Sequence, residues 1–186
     1  MPPRGPVLVS VPADDWAVPT EAVAPRRVAA ALRPDPVLLA EIGTALDGAR
    51  APALVVGAAV DRDGAWDQAV QLAERHNARV FIAPMAGTCG FPGDHALFAG
   101  HLSPMRERIV ARLAGHDLVF ALGAPAFTYH VEGTGPHVPP GAALVQLIDD
   151  PATAAWTPLG DAAIGSIGLG LADLLARPAP ARRDPP

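Results

Sequence analysis

Short apolar runs alternate along this chain with stretches in which apolar residues recur every three to four positions. Leu38, Leu39, Ile42, Ala45 and Leu46 share one helical face. Asp35 is a good N-cap ahead of them, Pro36 suits the first helical position because its missing N–H costs nothing there, and Gly48 is a stop. The apolar run at 53–56, closed by Gly57, predicts a strand. Residues 64–75 predict a helix with Ala65, Ala69, Leu72 and Ala73 turned inward. A strand over 79–83 follows, then a loop over 84–102. Ser103 and Pro104 open a helix that runs through Leu113 and stops at Gly115. Residues 117–122 predict a strand ending in Gly123, and another long loop leads to Gly141. A strand over 143–148, a short one over 161–167 and a helix over 168–176 complete the series.

Strands that are apolar on both sides, alternating with helices, mark a parallel sheet covered on two faces. The predicted fold is therefore α/β, a doubly wound, Rossmann-like parallel sheet of five or six strands with helices on both faces. Its compact part is expected over residues 35–177. Proline, 22 of 186 residues, crowds the two ends, so 1–34 and 178–186 read as a linker-rich segment and a tail. One run interrupts the first segment. Residues 6–12 read PVLVSVP, and Val7, Leu8, Val9 and Val11 make a candidate strand. A strand cannot satisfy its backbone alone. It either crosses the linker to join the main sheet or belongs with another domain.

Composition narrows the function classes. With 50% hydrophobic and 18% charged residues, the chain is far too apolar to be disordered. No apolar run approaches the length of a transmembrane helix, and the first residues lack the order of a signal peptide. A single cysteine excludes a disulfide framework and an all-cysteine zinc site. The net charge is −5 and the 14 basic residues, all arginine, are scattered, which argues against a nucleic-acid groove. The expected setting is cytoplasmic, with neither nucleic acid nor membrane as partner.

Ligands on such sheets bind outside the C-terminal strand ends, so the loops there carry the candidate chemistry. Residues 55–66, VVGAAVDRDGAW, lack the G-x-G-x-x-G spacing that cradles a dinucleotide. The loop over 84–102 is the most informative: it holds Cys89, Asp94, His95 and His101 with two phenylalanines. As metal ligands, two histidines six apart on a glycine-rich loop are a poor set. As a proton carrier near neutral pH, a loop histidine is suited. The loop after the 117–122 strand carries Phe127, Tyr129, His130, Glu132 and His137, which either line a site or cover the surface. Ser10, Ser103 and Ser166 have no nucleophile-elbow context, so a hydrolase triad is unsupported.

Several blocks, in order, resemble the central domain of thiamine diphosphate-dependent 2-oxo acid decarboxylases, and within that family the benzoylformate decarboxylase branch. GPVLVSVPADDW at 5–16 resembles the end of the family's N-terminal pyrimidine-binding domain. Residues 52–84, PALVVGAAVDRDGAWDQAVQLAERHNARVFIAP, resemble its central strand–helix–strand. CGFPGDHALFAG at 89–100 resembles the family's F-P-x-x-H-x-x-F-x-G loop, with Ala96 where proline often follows the histidine. LAGHDLVFALGAPAFTYH at 113–130 and DDPATAAWTPLGDAAIGSIG at 149–168 match further on.

The resemblance implies a role for each part. Val7–Val11 would close the sheet of the preceding domain and would not enter the centre of this one. His95 stands where the branch has an active-site histidine, and Phe98, His101 and Leu102 would be its pocket shell. Decarboxylation followed by aldehyde release needs one proton delivered to carbon and another taken from a hydroxyl, and one imidazole serves both. His95 is expected to be solvent-accessible on the loop at the C-terminal edge of the sheet, with Phe91 and Phe98 as anchors into the apolar body. The family's activating glutamate and its glycine-aspartate-glycine motif for diphosphate and magnesium do not occur here. The chain is thus expected to be a fragment or split subunit, inactive alone, that works with separate pyrimidine-binding and diphosphate-binding domains or as a homo-oligomer. Thiamine diphosphate and Mg would belong to the assembled enzyme, with no cofactor or metal held by this chain. The alternatives are a free-standing FAD- or ADP-binding module, since central domains of related enzymes bind those nucleotides, and a purely structural assembly domain.

Overall fold

The computed structural model describes residues 6–181. These fall into two units, one ending at Ala30 and the other beginning at Ala31.

Among its described residues the first unit has one element, a 3₁₀ turn at Ala13–Ala17 with Asp14 and Asp15 at its start. Over 6–12, the candidate strand, the chain has no regular secondary structure here, and Val7, Leu8 and Val9 are exposed. The reason is the one that made the segment ambiguous. An apolar run becomes a strand only where a neighbour takes up its amides, and the six strands of the sheet all lie between Pro52 and Ile164.

The second unit begins with helix α1, Pro36–Gly48. The Asp35 carboxylate accepts from the amides of Val37 at 3.0 Å and Leu38 at 2.8 Å, which is the N-cap the sequence predicts. Strand β1, Pro52–Val56, is buried at every position. Two helices follow it instead of one: α2, Ala58–Arg62, and α3, Trp66–His76. Asn77 ends α3 in the left-handed conformation at φ 46°. Strand β2 spans Arg79–Ile82. The segment expected to be all loop contains a further strand, β3, Phe98–His101. Helix α4 is shorter than expected, Arg106–Arg112, because the Pro104 carbonyl accepts the His130 amide and Met105 is still extended. Then come β4, Leu118–Leu122, and β5, Ala143–Ile148. Helix α5, Pro151–Ala154, is a single turn capped by Asp150. Strand β6, Asp161–Ile164, ends early because Gly165 and Ser166 turn to bond Ile148 and Leu32. Helix α6 spans Ile167–Ala176.

The sheet order is β3-β2-β1-β4-β5-β6 and every pairing is parallel. This is the doubly wound arrangement, reversing between β1 and β4. Alternate residues along each strand supply two cores. Leu54, Val56, Val80, Ile82, Phe120 and Leu147 pack beneath α1, α3 and α6 through Leu46, Leu72 and Leu171. Val55, Phe81, Val119 and Ala121 pack on the other side against Ile109 of α4, Leu113 just after it, and Phe127 and Val138 of the long loop.

Candidate functional site

Parallel pairing sends all the C-terminal strand ends to one edge. The turn after β1 is closed there by the protein itself. The Gly57 amide donates to the Leu122 carbonyl at 2.9 Å and the Ala59 amide to Gly123 at 3.0 Å. A Cβ at Gly57 would lie 2.5 Å from the Ala124 Cβ, so glycine is needed for strand-to-strand contact, and these amides are not free to cradle a phosphate. That argues against a phosphate cradle in this turn, and so does not favour the nucleotide-binding alternative.

The segment between β2 and β3 crosses the molecule from one edge to the other. It leaves β2 at the C-terminal edge, where Gly90 presses on Val56 and Gly57. Phe91, 1% exposed, then enters the core beneath α3. The chain turns through His95, whose carbonyl accepts the Phe98 amide, and starts β3 with Phe98 opposite Val80. His95 therefore sits at the N-terminal edge of the sheet, not at the C-terminal edge where the sequence places it. The expectation failed because a loop with no strand in it has no reason to descend. Phe91 is the anchor expected; Phe98 is half-buried against the same core.

The His95 ring is 21% exposed. It meets the Phe91 ring edge-on at 5.1 Å between centroids. Its Nδ1 accepts from the Leu97 amide at 3.2 Å, and its Nε2 lies 3.4 Å from Glu74 Oε1. Glu74, on α3, is a neighbour no sequence motif announces. The other candidates do not converge on this ring. His101 lies at the far end of β3, about 10 Å along the strand from Phe98 at about 3.3 Å per residue. It is exposed, its Nε2 3.9 Å from Cys89 Sγ. Leu102 is buried in the core of the opposite face. Phe98 stands between, its ring 5.9 Å from that of His101.

A second polar group gathers at the C-terminal edge beside α4. The Arg106 guanidinium, 9% exposed, donates to Glu132 at 3.0 Å and to the Gly135 carbonyl at 3.2 Å, and lies over the Tyr129 ring at 5.0 Å. Tyr129 and His137 share a hydrogen bond of 2.9 Å. Burial pushes the Tyr129 hydroxyl up from its ordinary value, and burial, helped by the Arg106 charge, holds His137 below its own. These contacts tie the long loop to α4. Among the described residues no group of three or more His, Cys, Asp or Glu is placed to hold a metal ion, and no helix is long and apolar enough to cross a membrane.

This architecture and its loops match the thiamine pyrophosphate enzyme central domain over residues 39–174, and the chain belongs to that family. It is 45% identical to benzoylformate decarboxylase of Pseudomonas aeruginosa over its full length while spanning 36% of that protein. Among solved structures, benzoylformate decarboxylase from Polynucleobacter necessarius superposes with a TM-score of 0.81 at 32% identity, covering 93% of this chain and 32% of the other. The thiamine diphosphate-dependent 4-hydroxybenzoylformate decarboxylase of Rhodococcus jostii RHA1 gives 0.78 at 36% identity, covering 92% and 33%. The chain thus corresponds to about a third of the length of each of these relatives.

Proposed function

We propose that this chain is the central domain of a 2-oxo acid decarboxylase of the benzoylformate decarboxylase type, a carbon–carbon lyase, and that it supplies scaffold and a proton-relay histidine to the assembled enzyme. The observation that carries this is the 45% identity running through the whole chain. In that assembly other domains hold thiamine diphosphate and Mg. Among the described residues no group of three or more His, Cys, Asp or Glu is placed to hold the cation, which supports assigning it to those other domains. The compartment we assign is the cytoplasm.

His95 is the residue to which we assign proton transfer, with Phe98 as the shell residue at its turn and His101 and Leu102 further along the same segment. The imidazole is partly exposed and its neighbour Glu74 is exposed, so solvent reaches the pair. The test grafts this domain into a full-length benzoylformate decarboxylase host and compares His95→Ala with His101→Ala. Loss of a positioned acid–base should lower turnover by about 10²–10⁴-fold, with a much smaller change in KM. If both variants keep the host's turnover, His95 is not catalytic and the segment is only a structural brace.

A further inference from the structure

We infer that Glu74 is a positioning residue for His95, a reading that rests on the proton-relay role proposed above. The imidazole is gripped at both nitrogens. The Leu97 amide donates to Nδ1 at 3.2 Å, so Nδ1 carries no proton and the neutral ring holds its hydrogen on Nε2. That N–H faces Glu74 Oε1 at 3.4 Å. The Phe91 ring, inclined by 78°, fixes the plane between them. A carboxylate on one histidine nitrogen, with a backbone group on the other, sets tautomer and orientation together.

The two grips differ in kind. Leu97 belongs to the same turn as His95 and moves with it. Glu74 reaches across from α3, where its carbonyl accepts the Asn77 amide at the left-handed cap. Its side chain is 59% exposed, against 21% for His95. A carboxylate this well hydrated gains little from the pair and leaves it easily. Glu74 therefore presents Nε2–H as the working end of the ring, and yields it when a partner group replaces the carboxylate.

The test uses the 186-residue chain with its histidine rings labelled with ¹⁵N. The wild-type neutral His95 ring should show Nδ1 unprotonated and Nε2 protonated. Glu74→Gln keeps an acceptor in place and should keep that pattern. Glu74→Ala should keep Nδ1 unprotonated, since the Leu97 amide still donates to it, but should shift the Nε2 signal and weaken the Phe91 contact, with the amide spectrum elsewhere unchanged. A wild-type proton on Nδ1, or a Glu74→Ala ring indistinguishable from wild type, overturns the assignment. In the grafted host, Glu74→Ala should lower kcat by about ten-fold with KM little changed, and Glu74→Gln should restore part of it, as for other carboxylates that orient a functional imidazole. If Glu74→Ala frees the ring while His95→Ala leaves turnover intact, Glu74 holds the ring but the proton-relay reading is wrong.

Discussion

Replacing Phe91 by alanine tests what holds His95 in place. The ring is among the largest fully buried side chains, 1% exposed, and packs in the same core as Leu72, Val80 and Ile82 although it belongs to a connecting segment. Its neighbour Gly90 is pressed against Val56, so the backbone there has little freedom to collapse into the space left. Truncating a buried phenylalanine costs about 3–5 kcal/mol, a large part of the roughly 5–15 kcal/mol that keeps a domain folded. For a chain of this length each kcal/mol lowers the melting midpoint by about 2–4 °C, so a fall of roughly 6–20 °C is expected. Urea unfolding followed by circular dichroism gives the free energy, and an unchanged m value shows that the unfolded state is the same. The ring also meets His95 edge-on. A double-mutant cycle with His95→Ala should therefore return a coupling of about 0.5–1.5 kcal/mol. A loss below about 1 kcal/mol for Phe91→Ala would refute the view that this ring pins the segment.

Asp35→Ala should cost about 1 kcal/mol in urea unfolding, since it removes the acceptor for the first amides of α1; no loss would mean that water caps that end equally well. His137 is held below its ordinary value of 6.5 in the folded protein, so the unfolded chain binds its proton first and stability should decline as pH falls below about 6.5. The carboxylates of Glu107 and Asp150, whose values are also lowered, keep their contribution through that window and lose it only in more acid solution. His137→Asn should flatten the first decline and spare the second, and a decline unchanged in that variant would clear His137 of it. Calorimetry of the pure chain with thiamine diphosphate and magnesium should show no binding, because the described residues include no cation site; micromolar, magnesium-dependent binding would overturn the assignment of that site to other domains.

Much of the fold is legible because its signals are local. The runs at β1, β4 and β5 are apolar on both sides, and Asp35–Pro36 announces α1. Other elements depend on contacts that a linear pattern does not carry. Helix α2 is five residues of AAVDR with no repeat to read, held at its start by the Gly57 and Ala59 amides, which bond the carbonyls of Leu122 and Gly123 at the end of β4. Strand β3 contains Gly100 at φ 98° and no fully buried residue, so nothing in its composition competes with a loop reading. That omission determined the error over His95. Once β3 is unseen, the histidine stays at the edge where β2 ends. The family pattern F-P-x-x-H singles out the residue, but its neighbour Glu74 lies on a helix 21 positions away and becomes visible only when the segment is laid along α3.

The strand order bears on how the chain reaches its fold. Strand β1 is synthesised first, yet it ends in the middle of the sheet, with Ala53 opposite Arg79 on one side and Pro52 opposite Leu118 on the other. No hairpin can start the sheet, because every pair is parallel and must wait for a crossover. Until β4 is made, PALVV offers an unpaired apolar edge to any other nascent strand. Pairings this distant close slowly and leave the partly folded chain prone to association. Refolding yield should therefore fall as protein concentration rises, with β1 as the segment through which the chains join.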